Sequence, residues 1–246
     1  MTAPSNAFPL PPRRRAERLS VAVVSELAEL IVTGQIAEGE LLPPEGPLSE
    51  HFGVSRTVIR ESAKLLEEKG LVLVTQGRGT QVARSGSWNM LDPVVISALI
   101  DNDESSGVLD ELSIVRGNLE SAMAGAVAAG RTPDELTRIE HALQVMREMP
   151  YESDSFRQAD VVFHLTVMEL SRNRLAENIA KRLYLRAQES SRFRGFGYEN
   201  AFRSTLDEHT AIVEAISRRD VAAAERVMRE HIIGSWQRRR FQPPKN

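Results

Sequence analysis

GVSRTVIRESAKLLEEKG at residues 53–70 runs directly into LVLVTQGRGTQV at 71–82, and the hydrophobic period changes at the join. In the first half Val58, Ile59, Ala63, Leu65 and Leu66 recur at helical spacing behind Ser55, a residue type that caps helix starts. In the second half the period shifts from helical to alternating over LVLVT and TQVA, on either side of Gln76-Gly77-Arg78-Gly79. That pattern predicts a short β-hairpin. Upstream, Pro43 and Pro44 suit the entry to a helix that closes at Gly53, because early helical positions need no amide donor. Residues 13 to about 34 form another helix, with Leu19, Val23, Leu27, Leu30 and Ile31 at helical spacing and Gly34 as its stop. Three helices and a hairpin in this order predict a winged helix-turn-helix.

In the helix opened by Ser55, Arg56, Arg60 and Lys64 recur every four residues. Steps of four drift only about 40° at 3.6 residues per turn, so the three cations form one outward stripe. The alternative is a solvated face balanced by Glu61, Glu67 and Glu68. The place of the helix, second in a helix-turn-helix and followed by a wing with Arg78 at its tip, favours DNA. Arginine bonds bidentately to guanine, and lysine meets phosphate as a point charge. The expected DNA-binding set is Ser55, Arg56, Thr57, Arg60, Lys64, Gln76, Gly77 and Arg78.

From about residue 92 the chain reads as helices only, near 92–102, 107–129, 132–149, 152–171, 174–195, 199–217 and 219–240. The expected organisation is a disordered tail at 1–12, a winged helix at 13–84, a linker at 85–91, an all-helical domain at 92–240 and a tail at 241–246. The fold class is therefore mainly α: a small β-hairpin wing on the first domain, and an all-α antiparallel helical bundle behind it. The absence of cysteine removes disulfides, thiolate metal sites and cysteine nucleophiles together, and fits a reducing cytoplasm. No run approaches the roughly 18 apolar residues of a membrane span, and MTAPSNAFPLPPRRR lacks the apolar core of a signal peptide. A soluble, cytoplasmic protein is expected. A net charge of −3 confines any DNA contact to a local patch; Arg13, Arg14 and Arg15 read as a charged tail.

Three of the four histidines in the helical region fall where a helix should be apolar. His164 follows Asp160 by one turn, on the face of Phe156, Val167 and Ser171; His209 sits among Leu206, Val213 and Ile216; and His231 sits among Val227, Met228 and Ser235. A lone inward histidine is ordinarily a hydrogen-bonded core residue. Three with an aspartate, from three helices, are costly to bury unless paired or coordinating, and one divalent cation satisfies all four. Imidazole and carboxylate suit Zn, Ni, Mn or Fe. Arg116, on the Leu112, Leu119, Met123 face, needs an anion: either Glu120 one turn on, or a carboxylate ligand held between Arg116 and the metal. Asn173, at a helix boundary, suits a cap or a ligand contact, and Thr205, a turn before His209, is a candidate for a ligand hydroxyl. His51 and His141 read as surface residues.

The stretch IVTGQIAEGELLPPEGPLSEHFGVSRTVIRESAKLLEEKGLVLVTQGRGTQV resembles the DNA-binding domain of the GntR family of bacterial regulators, above all in GVSRTVIRE, EKGLV and GRGT. One departure is Gly46-Pro47, where the family commonly carries an arginine or another polar residue. VRGNLESAMAGAVAA, then AD followed by FH, then SRN, EH and the histidine of MREH resemble the FCD ligand-binding domain of the FadR subfamily. That resemblance implies metal ligation by Asp160, His164, His209 and His231, with Arg116 and Asn173 near an effector. WNMLDPVV is similar to the DgoR-like branch that responds to galactonate and related sugar acids.

The expected protein is a homodimeric repressor on a pseudo-palindromic operator, released by a small carboxylate effector such as a sugar acid. A metal-dependent enzyme acting on a small organic acid, and a regulator with a purely structural metal, are the alternatives. No base or nucleophile separate from the four ligands speaks for the enzyme.

Overall fold

The computed structural model describes residues 15–103, 107–150, 153–189 and 199–240. The tails at 1–12 and 241–246, Arg13 and Arg14, and the expected helix end at 190–195 lie outside the described residues. The chain forms two compact units, divided between Ala98 and Leu99.

In the first unit, α1 (Arg15–Val32) packs against α3 (Arg56–Glu68), and α2 (Glu45–Phe52) crosses before it. The buried side of α1 is Ser20, Val23, Val24, Leu27, Ala28 and Ile31, whereas Leu19, expected in the core, lies exposed one position off that stripe. Ser55 caps α3 by accepting the Val58 amide at 3.4 Å. On α3 the buried positions are Val58, Ile59, Ser62 and Leu66. Ser62 has its hydroxyl satisfied by the Val58 carbonyl at 2.9 Å, so a polar residue fits where the α1 contact leaves no room for a larger one. The hairpin pairs β1 (Val72–Thr75) with β2 (Gly79–Val82) in the register Val72↔Val82 to Thr75↔Gly79. Gln76, Gly77 and Arg78 form its tip.

A third piece of the wing was not expected: Leu41 bridges Gln81, and the Leu42 amide donates to Thr80 O at 2.8 Å. IAEGELL carries no alternation to announce a strand. The segment read as a linker, 85–91, is fastened to this unit. Ser85 N donates to Glu38, Ser87 Oγ to Gly70 O, Trp88 Nε1 to Ala83 O, and Asn89 N to Lys69 O. Asp92 accepts the Val94 amide at 2.8 Å at the start of α4 (Pro93–Asp101) and pairs with Lys69 at 2.7 Å.

The second unit is helical throughout its described residues. It contains α5 (Gly107–Gly130), α6 (Pro133–Glu148), α7 (Asp154–Leu170), α8 (Arg174–Glu189), α9 (Glu199–Ser217) and α10 (Val221–Arg240). Connections of two or three residues, as between α5 and α6, α7 and α8, and α9 and α10, turn the chain back on itself. Helix α5 is the axle, packed against α7, α8, α9 and α10. Its small residues let α10 approach: a Cβ at Gly117 would stand 3.2 Å from Ile233 Cγ1, and one at Gly125 2.6 Å from Glu225 Cγ. Below the axle lies an apolar core of Val127, Ile139, Leu143, Phe163, Val167, Ile212, Ile216 and Met228. No described helix is long and apolar enough to cross a membrane.

Gly53 and Gly70 close α2 and α3 with left-handed backbone, at φ +63° and +73°. Only Gly70 is also crowded, its would-be Cβ falling 2.1 Å from the Ser87 carbonyl oxygen. Gly53→Ala is expected to lose about 1–2 kcal/mol, the conformational cost alone, and Gly70→Ala clearly more. Urea melts of both variants check the order; equal losses would mean that residues 85–91 yield freely.

Candidate functional site

The first candidate surface belongs to α3 and the wing. Arg56, Thr57, Arg60 and Lys64 are all exposed, as are Gln76, Gly77 and Arg78 at the tip. The tip is a tight turn, closed by the Arg78 amide donating to Thr75 O at 3.0 Å with Gly77 at φ +78°. The counter-charges are arranged differently from the expectation of Glu61, Glu67 and Glu68. Lys64 pairs with Glu61 at 2.9 Å, but Arg60 turns to Glu45 of α2, donating from Nε to both carboxylate oxygens at 2.8 and 2.9 Å. Glu67 instead accepts the Val74 amide at 2.9 Å and ties the wing to α3. An open groove lies between α3 and the wing, with Arg60, Lys64 and Arg78 on its walls.

The second candidate site is inside the helical unit. Asp160 and His164 come from consecutive turns of α7, His209 from α9 and His231 from α10, and one donor atom from each falls within 4.8 Å of the others. All four residues are buried. The three Nε2 atoms face one another, His231 standing 3.0 Å from His209 and 3.2 Å from His164, with Asp160 Oδ1 3.6 Å from His209 Nε2 and 4.0 Å from His164 Nε2.

Their outer partners determine what those atoms carry. His164 Nδ1 donates to Glu120 Oε2 and His231 Nδ1 to Glu208 Oε2, both at 2.7 Å, while His209 Nδ1 faces Met146 Sδ at 3.2 Å. Protons held on Nδ1 leave lone pairs on Nε2. The Nε2 lone pairs of His164 and His231 thus converge with His209 Nε2 and a carboxylate oxygen. Asp160 Oδ1 is the one buried side-chain nitrogen or oxygen among the described residues that lacks a hydrogen-bond partner, although Asp160 Oδ2 accepts from the Tyr184 hydroxyl at 2.7 Å. An orphaned carboxylate oxygen facing three imidazole nitrogens is compatible with a cation site, and the donor set fits a divalent metal ion.

The electrostatics agree. Burial pushes the Asp160 carboxyl up, but His164, His209, Arg239 and His231 outweigh it and hold the group below the usual carboxylate range. Burial, then neighbouring His231, drives His209 well below its ordinary value; burial, then His164, brings His231 down to about 3. Burial, then Asp160, raises the Tyr184 hydroxyl well above its usual value, so it stays a donor.

Beside this centre is a small cleft of about 10 Å³, room for about one water, lined by Arg116, Asp160, Tyr184, His231, Ser235 and Arg239 among others. Arg116 is buried, donates from Nε to Glu120 Oε1 at 2.8 Å, and lies over the Tyr184 ring at 3.7 Å. The pairing with Glu120 is therefore made, and Glu120 serves Arg116 and His164 at once. Asn173 is exposed and accepts the Ala176 amide at 3.2 Å: it caps α8 and is not among the residues lining the cleft. Thr205 is buried on α9 and does not line it either. Tyr184, Glu208 and Arg239 were not anticipated. Tyr184, spaced from buried Ala180 and Ala187, had a signal, since a buried phenol needs a partner. Glu208 adjoins His209 on α9 yet reaches α10, which periodicity within one helix does not reveal.

A winged helix with cations along the exposed face of α3, followed by a helical unit with a buried aspartate and three histidines compatible with a metal ion, is the build of a DNA-binding regulator. The family model for bacterial regulatory proteins of the gntR family matches residues 19–82, and that for the FCD domain matches 111–234. The galactonate operon transcriptional repressor of Escherichia coli K12 is 31% identical, over 88% of this chain and 94% of its own. The Uxu operon transcriptional regulator of the same organism is 30% identical, over 91% and 87%. Among solved structures, that of Lar, which controls expression of the Listeria monocytogenes agr system, is similar in fold, with TM-score 0.56 and 18% identity over 95% of this chain and 100% of that one. The chain belongs to the GntR family, in its FadR-like group carrying an FCD domain. It is a DNA-binding transcriptional regulator and not an enzyme.

His209 and His231 bind protons less readily in the fold than in the unfolded chain, where histidine titrates near 6.5. Below that value the unfolded state takes up protons that the fold refuses, so stability falls as pH drops. At pH 5.5 each contributes a loss on the order of 1 kcal/mol. Chelator-treated protein should therefore melt at progressively lower temperature from pH 7.5 to 5.5. A flat profile over that window would show these imidazoles to be protonated in the fold.

Proposed function

We propose that this protein is a metal-dependent repressor of a bacterial operon for carbohydrate-acid or organic-acid catabolism, released when a small carboxylate binds beside the metal. The observation that carries the reading is the unpartnered Asp160 Oδ1 facing three imidazole nitrogens, in a centre that opens on a cleft with two arginines. Asp160, His164, His209 and His231 hold the ion, with Zn, Ni and Mn the metals suited to nitrogen-rich donors with one carboxylate. The bound metal supplies a Lewis-acid position for an anionic ligand. Arg116 supplies the guanidinium for the ligand's carboxylate, and Arg239 and Ser235 line the same small cleft, which must widen to admit the ligand's remaining oxygens. A sugar acid has this combination of one carboxylate and several hydroxyls. Relatives named for galactonate, uxu and lactate dehydrogenase operons support that ligand class.

On the DNA side, Arg56, Thr57, Arg60 and Lys64 of α3 enter the major groove, with Ser55 setting the start of the helix. Gln76, Gly77 and Arg78 of the wing reach the neighbouring backbone or minor groove. The protein acts in the cytoplasm as a homodimer, each copy on one half of a pseudo-palindromic operator. Effector and operator then affect each other's affinity by the same factor.

A panel of sugar and organic acids, added with and without EDTA, tests this in two readouts. At about 100 times its dissociation constant the effector adds about 2.7 kcal/mol of stability, which raises the melting temperature by several degrees. The rise disappears with EDTA and in Asp160→Asn. The same acid weakens operator binding in a gel shift. If no acid moves either the melt or the operator affinity, the sensing half of the proposal is wrong.

A further inference from the structure

We propose that Glu45 is a positioning residue for operator recognition, holding Arg60 so that the two terminal amino groups of its guanidinium meet a guanine end-on in the major groove. The inference rests on the reading of α3 as the recognition helix.

Glu45 lies in the first turn of α2 and Arg60 on the outer face of α3, yet both carboxylate oxygens come within 2.9 Å of Arg60 Nε. Both side chains are largely exposed, at 42% and 66%. Exposed ion pairs add little to stability, so the fold gains little from this one. For DNA binding a carboxylate on this face is a direct liability, because the phosphate backbone repels it. The same turn of α2 also lies against the other arginine: a Cβ at Gly46 would stand 3.7 Å from Arg56 Nη2. A negative group kept among the cations that read DNA is accounted for if it orients one of them.

The geometry specifies how. Guanidinium has five N–H donors in one plane, and Glu45 occupies the single donor on Nε. Nη1 and Nη2 make no hydrogen bond among the described residues. They are the two atoms that can bond guanine O6 and N7 side by side when the fork approaches end-on. Held this way, Arg60 has already lost most of the rotamer freedom that it would otherwise lose on binding. A fork fixed in this way suits a base edge, whose two acceptors stand at set positions in the groove.

The experiment begins by selecting operator sequences from a random duplex pool with the full-length wild-type protein. Binding to the selected operator and to an unrelated duplex of equal length is then measured for E45A, E45Q, R60A and E45A/R60A, with melting curves alongside. E45Q keeps the side-chain shape should E45A fold poorly. Loss of Glu45 should weaken operator binding about tenfold, leave binding to the unrelated duplex unchanged or tighter, and flatten the preference for guanine at one position of each half-site. The double variant should bind the operator no worse than R60A. Equal weakening on both duplexes, an unaltered guanine preference, or additive losses in the double variant would each overturn the proposal. A wild-type protein that enriches no sequence would overturn the recognition-helix reading itself, and this inference with it.

Discussion

Four donor atoms at the centre of the helical unit repel one another unless something positive lies among them. Two of the imidazoles give their Nδ1 protons to carboxylates, Glu120 and Glu208, so their Nε2 lone pairs must face inward toward His209 and Asp160. This arrangement governs the unit around it. It requires α7, α9 and α10 to bring their faces to one point, and it requires α5 to carry Glu120 behind His164. The close approach of α10 to α5 at Gly117 and Gly125 then follows, because a bulkier axle would hold His231 away from its partners. The apolar core of Phe163, Ile212 and Met228 on the same helices supplies the burial that drives association. It also removes water from the polar centre, and stacking of Phe163 on the His209 ring at 4.2 Å joins the two.

The DNA-binding unit is organised by an opposite requirement, since side chains proposed to meet DNA must stay wet. Its scaffold is therefore one-sided: α3 buries Val58, Ile59, Ser62 and Leu66 against α1 and leaves the arginines and Lys64 outside. The end of α3 is fixed from several directions. Lys69 is paired to Asp92, its carbonyl accepts from Asn89, and Gly70 packs under Ser87. A stretch read as a linker thus behaves as a strap on the end of α3, which its composition alone did not suggest.

What could be read from the sequence was whatever repeats along one element. The period change at residue 70 located the wing, and the inward spacing of His164, His209 and His231 located a polar centre without any structure. What could not be read was contact between elements: the Leu41 bridge to the hairpin, Glu208 of α9 reaching His231 of α10, Tyr184 of α8 reaching Asp160 of α7. Asn173 had two physically sound readings. Its side chain accepts an amide from its own helix start, a contact available wherever the residue sits at a boundary, so the cap is made.

Arg116 and Arg60 are each held at Nε by a glutamate, and the difference between them lies in solvent. Arg116 and Glu120 are buried, so each would be a costly charge without the other, and the pair belongs to the integrity of the interior. An incoming carboxylate on Arg116 would therefore share it with Glu120 through the free ends of the guanidinium instead of displacing it. It would thereby join a chain that already runs from Arg116 through Glu120 to His164. Arg60 and Glu45 make the same contact in water, where neither needs the other to remain charged. The chemistry that secures structure in one unit can only secure direction in the other. Direction is what an arginine requires if it is to distinguish one base edge from its neighbours.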